Sequence, residues 1–277
     1  MSLFITSLNS GSNGNCYYIG NEREAILVDA GISCRETEKR MLRLGLSMKL
    51  VKAIFVSHEH SDHINGIPML AKKYRLPVYI TPITLQRGGL ILDEELVIHF
   101  SAFQTIGIGD LQIIAFPKMH DAGNPHSFII ACDDIKVGVF TDIGIACEQV
   151  IHHFKQCHAA FLEANYDEDM LEKGGYPIYL KKRIRGGEGH LSNKQALELF
   201  TTHRPSFMTH LLLSHLSKNN NDPKLVQELF NGYANGTTIV VASRYLETDI
   251  YQIGQTENAE HLKKTAVKTE YFQTTLF

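Results

Sequence analysis

Apolar positions along the chain cluster in short runs bounded by polar and glycine-rich turns, the pattern of strands rather than of long amphipathic helices. Runs at 4–8, 16–19 and 25–28 predict three early strands, and Ala53-Ile54-Phe55-Val56 predicts a buried one ending at Ser57. Further strands are expected at 78–80 after Pro77, at 111–116, at 128–131 and 136–140 around an Asp133-Asp134 turn, and at 158–162, 211–213, 237–241 and 248–253. Helices are rarer. Ser33 with Glu36 is a capping-box pattern for a helix stopping near Gly45, and Ser192 with Gln195 is a second. A helix is expected over 66–74, and Asp222-Pro223 supplies a cap and a first-turn proline for another over 224–230. Residues 86–95 read as a surface connection. Repeats, low-complexity tracts and linker-like stretches are missing from the sequence, so one domain over 1–277 is expected.

Composition narrows the class without choosing a function. The apolar fraction of 44% is ordinary for a chain with a sizeable core. No apolar stretch approaches the ~20 residues of a membrane-spanning helix, so no membrane partner is expected. The first residues, Met1-Ser2-Leu3-Phe4-Ile5, lack a basic leader and a cleavage pattern, so no signal peptide is expected. Five scattered cysteines suit a reducing cytoplasm, and with no Cys-x-x-Cys pair they argue against structural zinc. A net charge of −3 gives no global attraction to nucleic acid; such binding would need a local patch, and Lys181, Lys182, Arg183 and Arg185 form the one basic cluster considered. Solvation of an exposed face is the favoured explanation of that cluster unless it borders the site.

The chemistry lies at the ends of the apolar runs. His58-Glu59-His60-Ser61-Asp62-His63 follows the fourth strand directly. Three imidazoles and carboxylates are costly to bury unless something satisfies them, and a divalent cation does so. Three further runs end near His120, Asp142 and His215. Ligands at strand ends converge when the strands lie side by side, so these four endings predict a shared metal site.

The order His-x-His-x-Asp-His after a strand resembles the metallo-β-lactamase superfamily, over nearly the whole chain. Ser10-Gly11-Ser12-Asn13-Gly14-Asn15-Cys16, Glu163-Ala164-Asn165-Tyr166-Asp167 and Leu213-Ser214-His215-Leu216-Ser217-Lys218 are similar to motifs of its YycJ (WalJ) branch. The resemblance implies an α/β fold of α+β type, a four-layer αββα sandwich of two mixed β-sheets flanked by helices. It implies two divalent metal ions, zinc or manganese: His58, His60 and His120 on one, Asp62, His63 and His215 on the other, and Asp142 between them. Two such ions share a hydroxide, a nucleophile toward phosphodiesters at neutral pH. Asp142 stands where lactam-hydrolysing members with two full sites commonly have cysteine, which disfavours that activity. His190, in Gly189-His190-Leu191-Ser192, resembles a histidine that protonates the leaving oxygen in related cyclic phosphodiesterases, and Asp62 and His190 are the catalytic candidates. Ser12, Asn15, Glu163, Asn165 and His126 are the substrate-binding candidates. For the 10–15 loop a plain hairpin turn is an even alternative, and Glu163 and Asn165 could instead orient a ligand. Met119 reads as packing, and Asp29 as a structural turn or a support for a ligand histidine. The expected function is a metal-dependent hydrolase of phosphodiesters, a DNA or RNA nuclease of exonuclease type. Alternatives are a small cyclic phosphodiesterase, a glyoxalase II-like thioester hydrolase, or a metal-stabilised scaffold contacting a partner through residues 269–277.

Overall fold

The computed structural model describes residues 1–254, so the proposed partner-contacting tail at 269–277 lies outside the described residues. Fourteen strands form two seven-stranded sheets. The first contains β1 (Leu3–Asn9), β2 (Cys16–Gly20), β3 (Ala25–Val28), β4 (Val51–Phe55), β5 (Val78–Tyr79) and β6 (Val97–Ile98). The second contains β7 (Thr105–Ile108), β8 (Leu111–Pro117), β9 (His126–Cys132), β10 (Ile135–Phe140), β11 (Ala159–Glu163), β12 (His210–Ser214) and β13 (Thr238–Val241). The chain then returns to the first sheet, where β14 (Tyr251–Ile253) pairs antiparallel with β1. Among the described residues it therefore passes between sheets at 99–104 and at 242–250 only.

Nine helices cover the outer faces of the described residues: α1 (Cys34–Arg43), α2 (Ser61–Ile64), α3 (Ile67–Tyr74), α4 (Pro82–Gly88), α5 (Glu148–Phe154), α6 (Glu168–Lys173), α7 (Ile178–Arg185), α8 (Asn193–His203) and α9 (Pro223–Asn231). Alternation along the strands explains the layers. Leu3, Ile5, Tyr17 and Phe55 point inward from one sheet and meet Phe128, Val139 and Phe161 of the other. The opposite faces pack outward, Leu27, Ile54 and Val78 with Met41 and Leu70 of α1 and α3. On the second sheet, Phe140, Leu162 and Leu213 pack with Val150, Phe200 and Phe230 of α5, α8 and α9. This is the expected four-layer αββα sandwich.

Local signals held where a side chain could act on its own backbone. Ser33 Oγ accepts from Glu36 N at 3.3 Å, and Ser192 with Gln195 makes a full reciprocal capping box. Residues 86–95 are in the main the expected surface connection, but 86–88 close a helix the sequence did not signal, α4, capped by Thr81 with Pro82 in its first turn, and 94–95 open a short turn into the edge strand β6.

Strand direction sets the position of the chemistry. β3, β4, β5 and β6 run parallel, as do β10, β11, β12 and β13. Their carboxyl ends therefore open on the same edges, where ligands of such sheets gather.

Candidate metal centre

The candidate metal ligands and two of their supports follow the carboxyl ends of strands, whereas Ser12, Asn15, His126 and His190 do not. Asp29 leaves β3, the 58–63 segment leaves β4, and Asp142 leaves β10. Glu163 ends β11 and His215 leaves β12; His120 follows β8. Asp29, Asp142 and His215 have left-handed backbones, with φ of 59°, 53° and 57°. That conformation is uncommon for residues bearing a side chain and persists where the surroundings enforce it, often at functional sites.

The 58–63 segment is held from below. Asn15 N donates to the Asp62 carbonyl at 2.7 Å and Ala30 N to the His63 carbonyl at 2.9 Å. Gly31 lies against the same turn so closely that a Cβ there would stand 1.7 Å from the Asp62 carbonyl oxygen. Only glycine permits that approach.

Supporting hydrogen bonds fix which ring nitrogens face inward. His63 Nδ1 donates to Asp29 Oδ2 at 2.7 Å, the Ser57 hydroxyl donates to that same oxygen at 2.7 Å, and His58 Nδ1 lies 2.9 Å from Ser57 Oγ. His120 Nδ1 donates to the Gly189 carbonyl at 3.0 Å, and His215 Nδ1 to Glu163 Oε1 at 2.9 Å. The opposite nitrogens face into the site, where a bound cation would meet their lone pairs; in the protein alone, against the pull of burial, Asp142 and its neighbouring carboxylates hold the imidazoles of His63 and His215 above their usual range. His60 Nδ1 lies 3.0 Å from His58 Nε2 and 3.3 Å from His120 Nε2. With the His60 proton on Nε2, three lone pairs would face one another here, an arrangement that a cation between them satisfies. Nitrogens about 2.0–2.1 Å from a tetrahedral zinc stand roughly 3.3 Å apart, so the spacing fits.

The second cluster is built likewise. Asp62 Oδ2 is 3.6 Å from His63 Nε2 and 3.5 Å from His215 Nε2. Asp142 lies between the clusters, with Oδ2 3.2 Å from His63 Nε2 and Oδ1 3.7 Å from His120 Nε2. Asp142 Oδ2 and His215 Nε2 are buried with no hydrogen-bond partner. Orphaned acceptors of this kind are expensive unless an ion completes them, so the donor set suits divalent metal. The seven residues gather in three groups whose ligand atoms lie within 4.8 Å: His58, His60 and His120; His58, His63 and Asp142; and Asp62, His63 and His215.

Charge balance follows from burial. Burial pushes the imidazole of His58 well below its usual range and that of His120 down to about 4, leaving both neutral, as ligand histidines are. For Asp142, burial pushes upward, but His215 and His63 outweigh it and hold the carboxyl well below the carboxylate range. Lys118, which the sequence reading passed over, is buried beside these acids and donates to the Thr141 carbonyl at 2.6 Å. Desolvation lowers its pKa, against the pull of Asp142 and Asp29.

The remaining candidates divide. Ser12, Asn165 and His190 line the cleft over Asp62, Asp142 and His215. His190 Nδ1 donates to Glu163 Oε1 at 2.8 Å, so its other nitrogen is the one free to meet a ligand. Asn15 and Glu163 are fully buried and lie behind the cleft wall rather than facing substrate. Asn15 Nδ2 stands 3.2 Å from Asp62 Oδ2 and 3.0 Å from His63 Nε2. Glu163 serves both His190 and His215, and its other oxygen accepts from Ile143 N and Leu191 N at 2.8 and 3.1 Å. His126 is buried too, bonded to the Asn124 carbonyl at 2.9 Å and edge-on to Phe100, so it does not line the cleft. Asp29 combines both readings, the left-handed turn and the support of a ligand histidine. Of the basic cluster only Arg183 lines the cleft, which Leu180 and Ile184 of α7 wall with Tyr176; Lys181 and Arg185 bond to Glu172. Arg183 Nε pairs with Asp121.

A family model described as a β-lactamase superfamily domain matches residues 24–215. The chain is 34% identical over 232 residues to an exodeoxyribonuclease YycJ of Bacillus anthracis, covering 82% of this chain and 87% of that protein. It is 31% identical over 225 residues to an exodeoxyribonuclease WalJ of Streptococcus pneumoniae, covering 79% and 83%. Among solved structures, the metallo-β-lactamase fold protein YhfI from Bacillus subtilis matches with a TM-score of 0.71 at 16% identity, over 91% of this chain and 100% of that one.

Proposed function

The chain belongs to the metallo-β-lactamase superfamily, and on that premise we propose that it is a metal-dependent phosphodiester hydrolase, a nuclease of exonuclease type acting on DNA. The observation that carries this reading is the convergence of His58, His60, Asp62, His63, His120, Asp142 and His215 on one edge of the sandwich, with buried acceptors left orphaned. Those seven residues would hold two divalent ions, zinc or manganese. Ions bound there supply Lewis acidity toward phosphoryl oxygens and lower the pKa of water so that hydroxide is available at neutral pH.

The protein's own contribution is placement. Asp29, Ser57 and Glu163 fix the rotamers and tautomers of the ligand histidines. His190, oriented by Glu163, holds a proton on its cleft-facing nitrogen and delivers it to the leaving oxygen. Ser12 and Asn165 meet substrate from the cleft wall, while the apolar faces of Leu180 and Ile184 narrow the entrance. Asn165 Nδ2 also donates to the His215 carbonyl at 2.8 Å, which fixes the wall to the metal site. All of these groups lie within residues 1–254, and we infer that one domain carries the activity.

The test is hydrolysis of bis(p-nitrophenyl) phosphate and of end-labelled DNA by zinc- and manganese-loaded protein, beside an Asp142→Ala variant. Turnover with a bound metal, lost in the variant, is expected. A fully loaded protein inert on both substrates would refute the proposal.

A further inference from the structure

Arg183 stands between two cavities. On one side is the metal cleft, of about 330 Å³. On the other is a cavity of about 390 Å³ bounded by Met119, Asp121, Ile145, Lys182 and the 186–189 loop. Its two apolar side chains are not packing: Met119 is 41% and Ile145 42% exposed. Its frame is the frame of the metal centre. Met119 precedes His120, Ile145 comes three residues after Asp142, and Gly189 precedes His190. Gly144 N donates to the Met119 carbonyl at 2.7 Å and Asp121 N to the Glu188 carbonyl at 2.9 Å. A Cβ on Gly144 would stand 2.1 Å from the Gly187 carbonyl oxygen, so the two loops are in close backbone contact. A ligand seated here is thereby held at a fixed position relative to the metals.

The chemistry of the walls selects the occupant. Asp121 and Glu188 offset the charges of Lys182 and Arg183 within the cavity, which makes it a poor receptor for a free phosphate. Exposed thioether and aliphatic surface beside polar groups instead suits a flat, neutral, hydrogen-bonding ring. Arg183 engages Asp121 through Nε, and among the described residues its two terminal nitrogens make no hydrogen bond. They are available to a phosphate lying between the two cavities.

We propose that this cavity is a base subsite: the nucleotide adjoining the scissile phosphodiester lays its base against Met119 and Ile145, and Arg183 takes the phosphate on the partition. The proposal rests on the nuclease reading and adds a specificity to it. A base held there is unpaired, so the substrate end is single-stranded or opens by a pair before cleavage.

The experiment compares kcat/KM for labelled tetrathymidylate with that for bis(p-nitrophenyl) phosphate, using the metal-loaded full chain and its Ile145→Asn and Met119→Asn variants. Loss of a stacked base lowers the oligonucleotide-to-aryl-diester ratio about tenfold, chiefly through KM. A merely structural role lowers both rates and leaves the ratio standing. An unchanged ratio in both variants overturns the subsite while leaving the hydrolase reading intact. Wild-type protein that cleaves the aryl diester but not the oligonucleotide overturns it likewise, and no turnover of either substrate overturns both readings.

Discussion

At the residue scale, the site depends on groups one bond removed from the expected ligands. Asp29 Oδ2 accepts from both His63 Nδ1 and the Ser57 hydroxyl. Asp29→Ala removes that acceptor and leaves His63 free to rotate; we expect metal affinity to fall about 10- to 100-fold in a chelator-competition titration, with the circular dichroism spectrum unchanged. Affinity equal to wild type would show that the ring is fixed by packing alone. His190 gives the complementary case. His190→Ala should slow hydrolysis of a diester with a poor leaving group by about 10²- to 10⁴-fold at unchanged metal content, and leave p-nitrophenyl esters less affected, since that leaving group scarcely needs a proton. The side chains that gather at the candidate site are legible from the spacing of the His-rich segment and from the strand ends. Lys118 was not, because a lysine in sequence reads as surface, and only the assembled carboxylates Asp29, Asp62, Asp142 and Glu163 make a buried ammonium intelligible.

At the element scale, most strands and the capped or amphipathic helices α1, α3, α8 and α9 were readable, whereas the edge strands β6 and β7 and the helices α2 and α4 to α7 were not. Ile26 and Leu27, or Leu211 to Leu213, lie in continuous apolar runs because both faces of a parallel sheet are covered. Helix α7 buries no side chain, and α6 has only Leu171 inside, so neither carries an apolar stripe to detect. The same lack of a stripe explains why Arg183 of α7 could be found in sequence but not assigned to the cleft. Two substitutions test how the elements present the chemistry. Gly31→Ala forces a methyl into the Asp62 carbonyl and must shift the 58–63 segment. The expected result is a loss of about 1–3 kcal/mol in denaturant unfolding together with weakened metal binding. Ser192→Ala breaks the capping box of α8 and should cost about 1 kcal/mol by the same measurement. A midpoint unmoved by Ser192→Ala would mean that packing of Phe200 and Leu199, rather than the cap, fixes the start of that helix.

At the scale of the whole molecule, the candidate ligands are divided between the sheets. His58, His60, Asp62 and His63 extend from the first, and His120, Asp142 and His215 from the second. Any ion bound by both sets stabilises the native chain by mass action, because the unfolded chain has no such geometry. Chelation is therefore expected to lower the thermal midpoint by several degrees, and millimolar zinc or manganese to restore it, in a scanning-fluorimetry titration; a midpoint indifferent to both would mean that neither ion binds across the sheets. The two crossings of the chain, at 99–104 and 242–250, give this division a mechanical meaning. Among the described residues two peptide tethers join the halves, whereas ions bound across them would form a further fastening that can be released without breaking a peptide bond. With the ions in place a load across the sandwich is shared among three points. Without them it falls on the two tethers and the interlayer contacts, and the cleft becomes the seam along which the halves first part.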